Sequence, residues 1–185
     1  DQDETIHRLA DAGKTPMYFA YDGRLIGLIA ARDEPKKTSA KAIEALHKAG
    51  LDIMMLTGDN ENTASAMADE LGLDHYRADV LPQDKHQVIE DLQAQGKKVA
   101  MVGDGVNDAP ALKRADIGIA LGAGTDIAMD SAELVLIKSD LMDVYKAFRL
   151  SQRTVRIIKE NLFWAFIYNI LLIPVAGGIL YPIWN

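Results

Sequence analysis

Two carboxylates and a carboxamide lie close together in residues 103–110, Gly-Asp-Gly-Val-Asn-Asp-Ala-Pro. The segment follows an apolar run at 98–102 that predicts a strand. Open α/β folds place their sites at the carboxyl edge of the sheet, where such a segment would emerge. Mg2+ takes one or two carboxylates together with phosphate oxygens and water. Asp104 and Asp108 are therefore predicted to hold Mg2+ in a phosphoryl-transfer site. A surface turn is the alternative.

Two further segments could act at the same edge. Thr57-Gly58-Asp59 follows a short apolar run at 53–56 and precedes a predicted helix, so its hydroxyl and amides could hold phosphate oxygens. Lys85 lies near the start of another predicted helix, from which its side chain could reach the carboxylates. Taken singly, the first segment could be a structural turn and Lys85 a solvated lysine. Together with the paired acids they supply a phosphate contact, a balancing charge and a metal site.

An alternation of strands and helices must position these residues. Residues 17–21 and 25–30 predict a hairpin, because Asp22-Gly23 suits a two-residue turn. Further strands are predicted at 53–56, 76–80, 98–102, 117–121 and 134–137. Helices are predicted from a cap at Thr38 or Ser39 to Gly50, and at 61–71, 83–95 and 109–115, the third opened by Pro82. Repeated βα units indicate an α/β fold, a parallel sheet with helices on both faces.

Composition excludes several classes of function. The chain has 185 residues and a net charge of -7, which argues against nucleic acid as a partner. It contains no cysteine, so disulfides, zinc fingers and Cys-X-X-Cys copper sites are excluded within these residues. The first residues contain neither a secretory leader nor an initiator methionine. We therefore expect the sequence to be a piece of something longer.

The carboxyl-terminal part predicts a membrane helix. Residues 161–185 contain no Asp, Glu, Lys or Arg, and the apolar stretch 162–181 spans about 30 Å as a helix, the thickness of a bilayer core. A buried core helix is the alternative. Trp164, Tyr181 and Trp184 are candidate interfacial anchors. The preceding basic residues place the soluble part in the cytoplasm and give membrane lipid as a partner; they are Lys146, Arg149, Arg153, Arg156 and Lys159.

Residues 55–60, 81–85, 101–112 and 115–120 resemble, in order, motifs of the P-type cation-transporting ATPases. Residues 33–36 are similar to a further, proline-containing element of that family. The resemblance covers about residues 27–138 and implies a haloacid-dehalogenase-like, Rossmann-like fold. It also implies the cofactors Mg2+ and ATP. The implied site consists of Asp104 and Asp108 on Mg2+, Asn107 and Asp108 ordering phosphoryl oxygens, Thr57 and Gly58 on phosphate, Asp59 beside them, and Lys85 neutralising charge.

The apolar segment narrows the resemblance to a subclass. Tyr168-Asn169, followed by Pro174 and Gly177-Gly178, resembles the helix after the phosphorylation domain in copper and silver exporters. There the Tyr-Asn pair helps to form the site for transported Cu(I) or Ag(I). An Asn at mid-membrane is costly unless it faces a partner or an ion path. The alternative role for Asn169 is interhelical packing.

The sequence also departs from the family. The nucleophile string Asp-Lys-Thr-Gly-Thr is absent from the 185 residues, so the chain alone is expected to be inactive and to need the remaining domains of the same ATPase. Residues 1–5, Asp-Gln-Asp-Glu-Thr, fit the broader pattern Asp-x-Asp-x-Thr but lack a preceding strand. Two rivals stay open. One is a membrane-tethered phosphatase that uses Asp1 and Asp3, and the other is a non-catalytic fragment.

Four regions are expected along the chain. Residues 1–31 would be the tail of a nucleotide-binding domain with its return hairpin. Residues 32–143 would form the phosphorylation domain without its nucleophile strand. Residues 144–160 would form a basic cytoplasmic helix, and residues 161–185 a transmembrane helix.

Overall fold

A computed structural model of the chain describes residues 14–31, 34–122 and 130–178. The chain divides into two compact units, Asp1–Tyr145 and Lys146–Asn185. The expected position of the phosphatase-type acids Asp1 and Asp3 lies outside the described residues. The four regional boundaries expected from the sequence stay predictions.

The first described element is an antiparallel hairpin. Strand β1, Thr15–Tyr21, pairs with β2, Arg24–Ala31, with an irregularity between Phe19 and Ala20. Both turn residues have positive φ, 49° at Asp22 and 74° at Gly23, as a two-residue hairpin turn requires. The predicted hairpin is confirmed.

Two helices flank the next pair of strands. Helix α1, Ser39–Lys48, buries Ala42, Ile43 and Leu46 at helical spacing. Strand β3, Met54–Leu56, leads to helix α2, Glu61–Leu71, whose N-cap Asn60 accepts a hydrogen bond from the Thr63 N–H at 3.0 Å. Strand β4, His75–Arg77, follows and is parallel to β3.

The remaining strands build the centre of the fold. A 3-10 turn at Pro82–Asp84 precedes helix α3, Lys85–Ala94, and strand β5, Ala100–Gly103. A second 3-10 turn, Val106–Asp108, leads to helix α4, Ala109–Arg114. Strands β6, Ile117–Leu121, and β7, Leu134–Leu136, complete the set. Ile89 of α3 and Leu112 of α4 are the largest fully buried side chains described, so these helices supply the core.

The parallel pairing expected from the alternation is confirmed, in two groups of strands. Strands β3 and β4 form one parallel pair, and β5, β6 and β7 form a three-stranded parallel sheet in that order. The β5–β6 register pairs Ala100 with Ile117 and Gly103 with Ala120. Parallel pairing brings the carboxyl ends of neighbouring strands to one edge. The candidate residues after β3 and β5 therefore emerge where strands end.

Several element boundaries differ from the sequence expectation by a few residues. The predicted strand 76–80 is β4, His75–Arg77, because Asp79 has a φ of 52° that a regular strand cannot contain. The predicted helix 83–95 begins at Lys85, since Pro82 opens a 3-10 turn instead. Thr38 occupies the N-cap of α1, but its hydroxyl donates to Asp140 Oδ1 at 3.0 Å and makes no cap hydrogen bond.

The last element is helix α5, Leu141–Ala176, of 36 residues. It is long and apolar enough to cross a membrane by length and composition, and no residue of its most apolar window is buried. The transmembrane helix was expected over 161–185, with its apolar stretch at 162–181, but the helix ends at Ala176, two residues after Pro174. Gly178, with a φ of 86°, leaves the helical conformation. Of the three expected anchors, Trp164 lies on the helix and is exposed, while Tyr181 and Trp184 lie outside the described residues.

Candidate phosphoryl-transfer site

The two acidic residues that were predicted to act together differ in their exposure to solvent. Asp104 follows the strand end directly and is exposed, and no side-chain hydrogen bond or salt bridge engages its carboxylate within the described part of the chain. Asp108 ends the 3-10 turn, and the residue as a whole, backbone included, is 8% exposed. One carboxylate is thus open to solvent while the other is fixed inside the site.

Lys85 and Asp108 form the central contact of the site. Lys85 Nζ donates to Asp108 Oδ1 at 2.7 Å, across 23 residues of sequence. Both side chains are largely removed from solvent, at 17% and 11% exposure. Lys85 can reach because it is the first residue of α3, directly after the 3-10 turn at Pro82–Asp84. The predicted reach of Lys85 toward the acids is therefore seen for Asp108, and no hydrogen bond or salt bridge joins Lys85 to Asp104 among the described residues.

Gly103 lies directly against the Asp108 side chain. A Cβ built on Gly103 would be 2.7 Å from Asp108 Cβ and 2.8 Å from Asp108 Oδ2. Such distances are below van der Waals contact, so any larger residue at position 103 would displace the carboxylate. The need for glycine at position 103 is thus steric, because its φ is not in the left-handed region that favours glycine.

The Thr57 segment is ordered by its own hydrogen bonds and by the loop after β4. Thr57 Oγ1 donates to Asp59 Oδ2 at 2.7 Å and accepts from the Asp59 N–H at 3.1 Å. The Val80 N–H donates to the Thr57 carbonyl at 3.0 Å, and the Asp79 N–H donates to the Asp59 carbonyl at 2.8 Å. The segment is held as a compact turn at the carboxyl end of β3.

The structure brings together some of the predicted site residues and leaves others apart. Lys85 and Asp108 are in contact, and Asp104 and Asn107 lie in the same turn, both exposed. Among the described residues, the Thr57 hydroxyl hydrogen bonds to Asp59 and not to Lys85 or Asp108. The parts of a phosphate site are present, but the hydroxyl and the ion pair do not touch.

Sequence reasoning gave no role to three residues that shape this site. Gly103 accommodates Asp108, while Asp79 and Val80 hold the Thr57 segment through their amides. Gly103 is the first residue of the segment 103–110, so its position in the sequence was a signal that it lies near Asp108. Asp79 gave only the weak signal that Asp tolerates positive φ better than most residues.

The donor set fits Mg2+ better than a metal that needs a complete protein cage. Among the described residues no group of three or more His, Asp or Glu side chains could hold a metal ion. Mg2+ commonly relies on one or two carboxylates and completes its octahedron with phosphate and water. The exposed Asp104 and the buried Asp108 satisfy that smaller requirement.

A second polar cluster joins the opposite ends of the central strands. Asp116 precedes β6 and accepts hydrogen bonds from Lys98 Nζ at 2.8 Å, Gln93 Nε2 at 3.0 Å and the Val99 N–H at 3.0 Å. The bond from Lys98, followed by those from Gln93 and Val99, holds the pKa of Asp116 well below its usual range. The same pair raises the pKa of Lys98. This cluster fixes strand ends away from the candidate site.

Tyr168 and Asn169 both lie on the apolar part of α5. Tyr168 is 64% exposed. Asn169 Nδ2 donates to the carbonyl of Ala165, one turn earlier, at 2.9 Å. One N–H of the amide is therefore bonded within its own helix, while the side-chain carbonyl oxygen accepts no hydrogen bond among the described residues.

Comparison with known proteins identifies the family of the chain. A family model of haloacid dehalogenase-like hydrolases matches residues 1–116, and a second model of the same description matches residues 85–148. Copper-transporting ATPase 1 of Rhizobium meliloti is 54% identical over 95% of this chain. The silver exporting P-type ATPase of Salmonella typhimurium is 54% identical over 94% of it. The resemblance drawn from the motifs is confirmed.

A solved structure is similar as well. The crystal structure of a zinc-transporting PIB-type ATPase in the E2.Pi state matches 95% of this chain with a TM-score of 0.84 and 37% sequence identity. The match covers 29% of that chain, and this sequence spans 21% of each of the two curated relatives. The similarity thus concerns one part of much longer proteins.

Proposed function

Because the chain belongs to the haloacid dehalogenase-like hydrolases, we propose that it forms most of the phosphorylation domain and one membrane helix of a Cu(I)- or Ag(I)-exporting P-type ATPase. The contact between Lys85 and Asp108 is the observation that carries this proposal. It joins two separated motifs at the carboxyl edge of parallel strands, where a phosphoryl group would be held.

Each site residue receives a distinct part in the proposed reaction. Asp104, exposed at the strand end, and Asp108 would hold Mg2+, which supplies positive charge beside the phosphoryl oxygens. Lys85 orients the Asp108 carboxylate and places an ammonium group at the same site. The turn of Thr57, Gly58 and Asp59 would offer its hydroxyl and amides to phosphate, and Asn107 would offer its exposed amide.

The remaining parts of the reaction belong to the longer protein. The 185 residues contain no Asp-Lys-Thr-Gly-Thr string, so the proposed acceptor carboxylate comes from another segment, as does most of the ATP-binding domain. The basic residues before the apolar stretch favour a cytoplasmic position for the site. Phosphorylation and dephosphorylation there would drive export of the ion.

A segment replacement tests the proposal. The matching segment of the Rhizobium meliloti copper-transporting ATPase 1 is replaced by this chain, and acid-stable phosphoenzyme formed from labelled ATP is measured with Cu(I), Ag(I) or Zn2+. The expected result is acid-stable label that depends on Cu(I) or Ag(I). The substitution Asp104→Asn should remove this label. The matched control carries the corresponding segment of the Salmonella typhimurium silver exporter. Labelling of that control but not of a folded chimera with this chain would contradict the proposal.

A further inference from the structure

The first part of α5 carries a one-sided row of basic side chains. At about 100° per residue, Lys146, Arg149, Arg153, Arg156 and Lys159 fall within an arc of about 140°. We name these five residues the basic stripe. Glu160 lies on the same face and offsets one of these charges. The face still keeps a clear excess of positive charge. Exposed apolar side chains occupy the remaining arc; they are Leu150, Val155, Ile157 and Ile158.

The end of the basic stripe meets the start of the uncharged segment. Within the described residues, Arg153, Arg156 and Lys159 are exposed and make no salt bridge with an acidic side chain. Their Cα atoms precede Leu162 by about 13.5, 9 and 4.5 Å along the helix axis, at a rise of 1.5 Å per residue. The headgroup layer on each side of the hydrocarbon core is about 5 to 7 Å thick.

These heights place the three charges in or next to the headgroup layer. Lys159 and Arg156 reach it directly, and Arg153 lies within about one Debye length of it. Long basic side chains bend toward that layer, where they meet phosphate groups. The cytoplasmic leaflet is the anionic one, and the positive charge of the stripe complements it.

We propose that Arg153, Arg156 and Lys159 form a binding site for anionic phospholipid headgroups of the cytoplasmic leaflet. The inference rests on the proposed membrane insertion of α5 and goes beyond the phosphoryl-transfer site. Arginine pairs with phosphate through two N–H groups, and lysine contributes a compact charge. The site selects lipid by charge, so neutral phosphatidylcholine gains nothing from it.

Lipid selectivity of the full 185-residue chain tests this site. The chain is reconstituted in phosphatidylcholine vesicles with a trace of spin-labelled phosphatidylglycerol or spin-labelled phosphatidylcholine. Electron paramagnetic resonance then measures the lipid immobilised by the protein. Wild type should prefer phosphatidylglycerol by about threefold or more, and salt should reduce that preference. The triple variant R153Q/R156Q/K159Q should bring the ratio close to unity.

A matched variant separates the site from net charge. K37Q/K41Q/K113Q removes as many positive charges from exposed lysines of the other unit and should keep the wild-type preference. Equal loss in both variants, or a preference that survives in R153Q/R156Q/K159Q, would overturn the site.

Insertion is checked in the same vesicles through quenching of tryptophan by brominated acyl chains, with Trp184→Phe leaving Trp164 as the sole tryptophan. Normal quenching without lipid preference overturns this inference alone. Absent quenching overturns the membrane span, and the lipid site with it.

Discussion

Asp104 and Asp108 are four positions apart, yet their side chains lie in different surroundings. Asp104 is exposed at the end of β5, whereas Asp108 is buried and bonded to Lys85. A buried carboxylate with a charged partner contributes to stability as well as to chemistry, while an exposed one contributes little to stability. The two residues can therefore be separated by experiment.

Asp104→Asn and Asp108→Asn form a matched pair of substitutions. Both should lower phosphoenzyme formation in the chimera by about 100-fold, because each removes a carboxylate from the Mg2+ site. Asp108→Asn should also lower the free energy of unfolding by about 2 kcal/mol, since it leaves the Lys85 ammonium without its partner. Urea denaturation of the chain in detergent measures that difference. Normal phosphorylation in a folded Asp104→Asn protein would refute the metal assignment.

Gly103 and Gly58 offer a second comparison at this scale. Gly103→Ala should destabilise the chain by about 2 kcal/mol, because the new methyl group overlaps Asp108. At Gly58 the nearest atom to an added Cβ is the Val80 carbonyl oxygen at 3.6 Å, an ordinary contact. Gly58→Ala should therefore leave thermal stability nearly unchanged. Equal melting temperatures for the two variants would contradict the packing of Asp108 on Gly103.

Asn169 gives a prediction about the transported ion. Its amide donor is bonded to Ala165, so its carbonyl oxygen is the atom left for an ion. Soft monovalent ions favour sulfur ligands, and Asn169 would be a supplementary contact. In the chimera, Asn169→Ala should weaken Cu(I) or Ag(I) stimulation of ATPase activity and leave phosphorylation from inorganic phosphate largely intact. Unchanged ion stimulation with lower stability would make Asn169 a packing residue.

At the scale of elements, the two ends of the central strands have different roles. The carboxyl ends of β3 and β5 lead into the candidate site. At the amino ends, Asp116 joins α3, β5 and β6 through Gln93, Val99 and Lys98. A second link connects the start of α1 to the start of α5, where Lys36 Nζ donates to the Ser139 carbonyl and Thr38 to Asp140.

The Asp116 cluster predicts a specific dependence of stability on pH. The pKa of the Asp116 carboxyl is lower in the folded chain than in the unfolded chain, where it is about 3.9. The ionised carboxylate therefore stabilises the fold above that value, and the contribution is lost as the pH falls toward the folded pKa. Asp116→Asn should be less stable than wild type at neutral pH, and the gap should close on acidification. Urea midpoints between neutral and acidic pH test this, and a constant gap would contradict it.

At the scale of the whole molecule, the described chain combines the proposed metal and phosphate site with a membrane-capable helix. A lysine, two acids and a hydroxyl are present, but the sequence has no nucleophile string of the family. A site that holds a phosphoryl group by charge but has no nucleophile cannot form a covalent phosphoenzyme.

The chain alone should therefore form no phosphoenzyme. Incubation with labelled ATP and Mg2+, followed by an acid quench, should leave no acid-stable label on the 185 residues. The chimera serves as the positive control. Label retained on Asp1 or Asp3, and lost in Asp1→Asn or Asp3→Asn, would favour the membrane-tethered phosphatase instead.

Local sequence patterns determined the elements and suggested the chemistry proposed for the site. Asp22-Gly23 specified the hairpin turn, and helix 61–71 was predicted with its observed bounds, since Asn60 and Gly72 provide strong end signals. The motif around Asp104 and Asp108 indicated Mg2+ and phosphate because one or two carboxylates are what Mg2+ takes beside phosphate oxygens and water. These signals are local, so they can be read along the chain.

Only the tertiary structure decided which of these residues meet. Lys85 reaches Asp108 over 23 residues of sequence, and Asp108 is fixed because it packs on Gly103. Asp104 stays exposed, although it lies only four residues away in the same short segment. Helix α5 ends at Ala176 although the apolar sequence continues. Composition does not record burial, register or the distance between elements, because these arise when the strands and helices pack together.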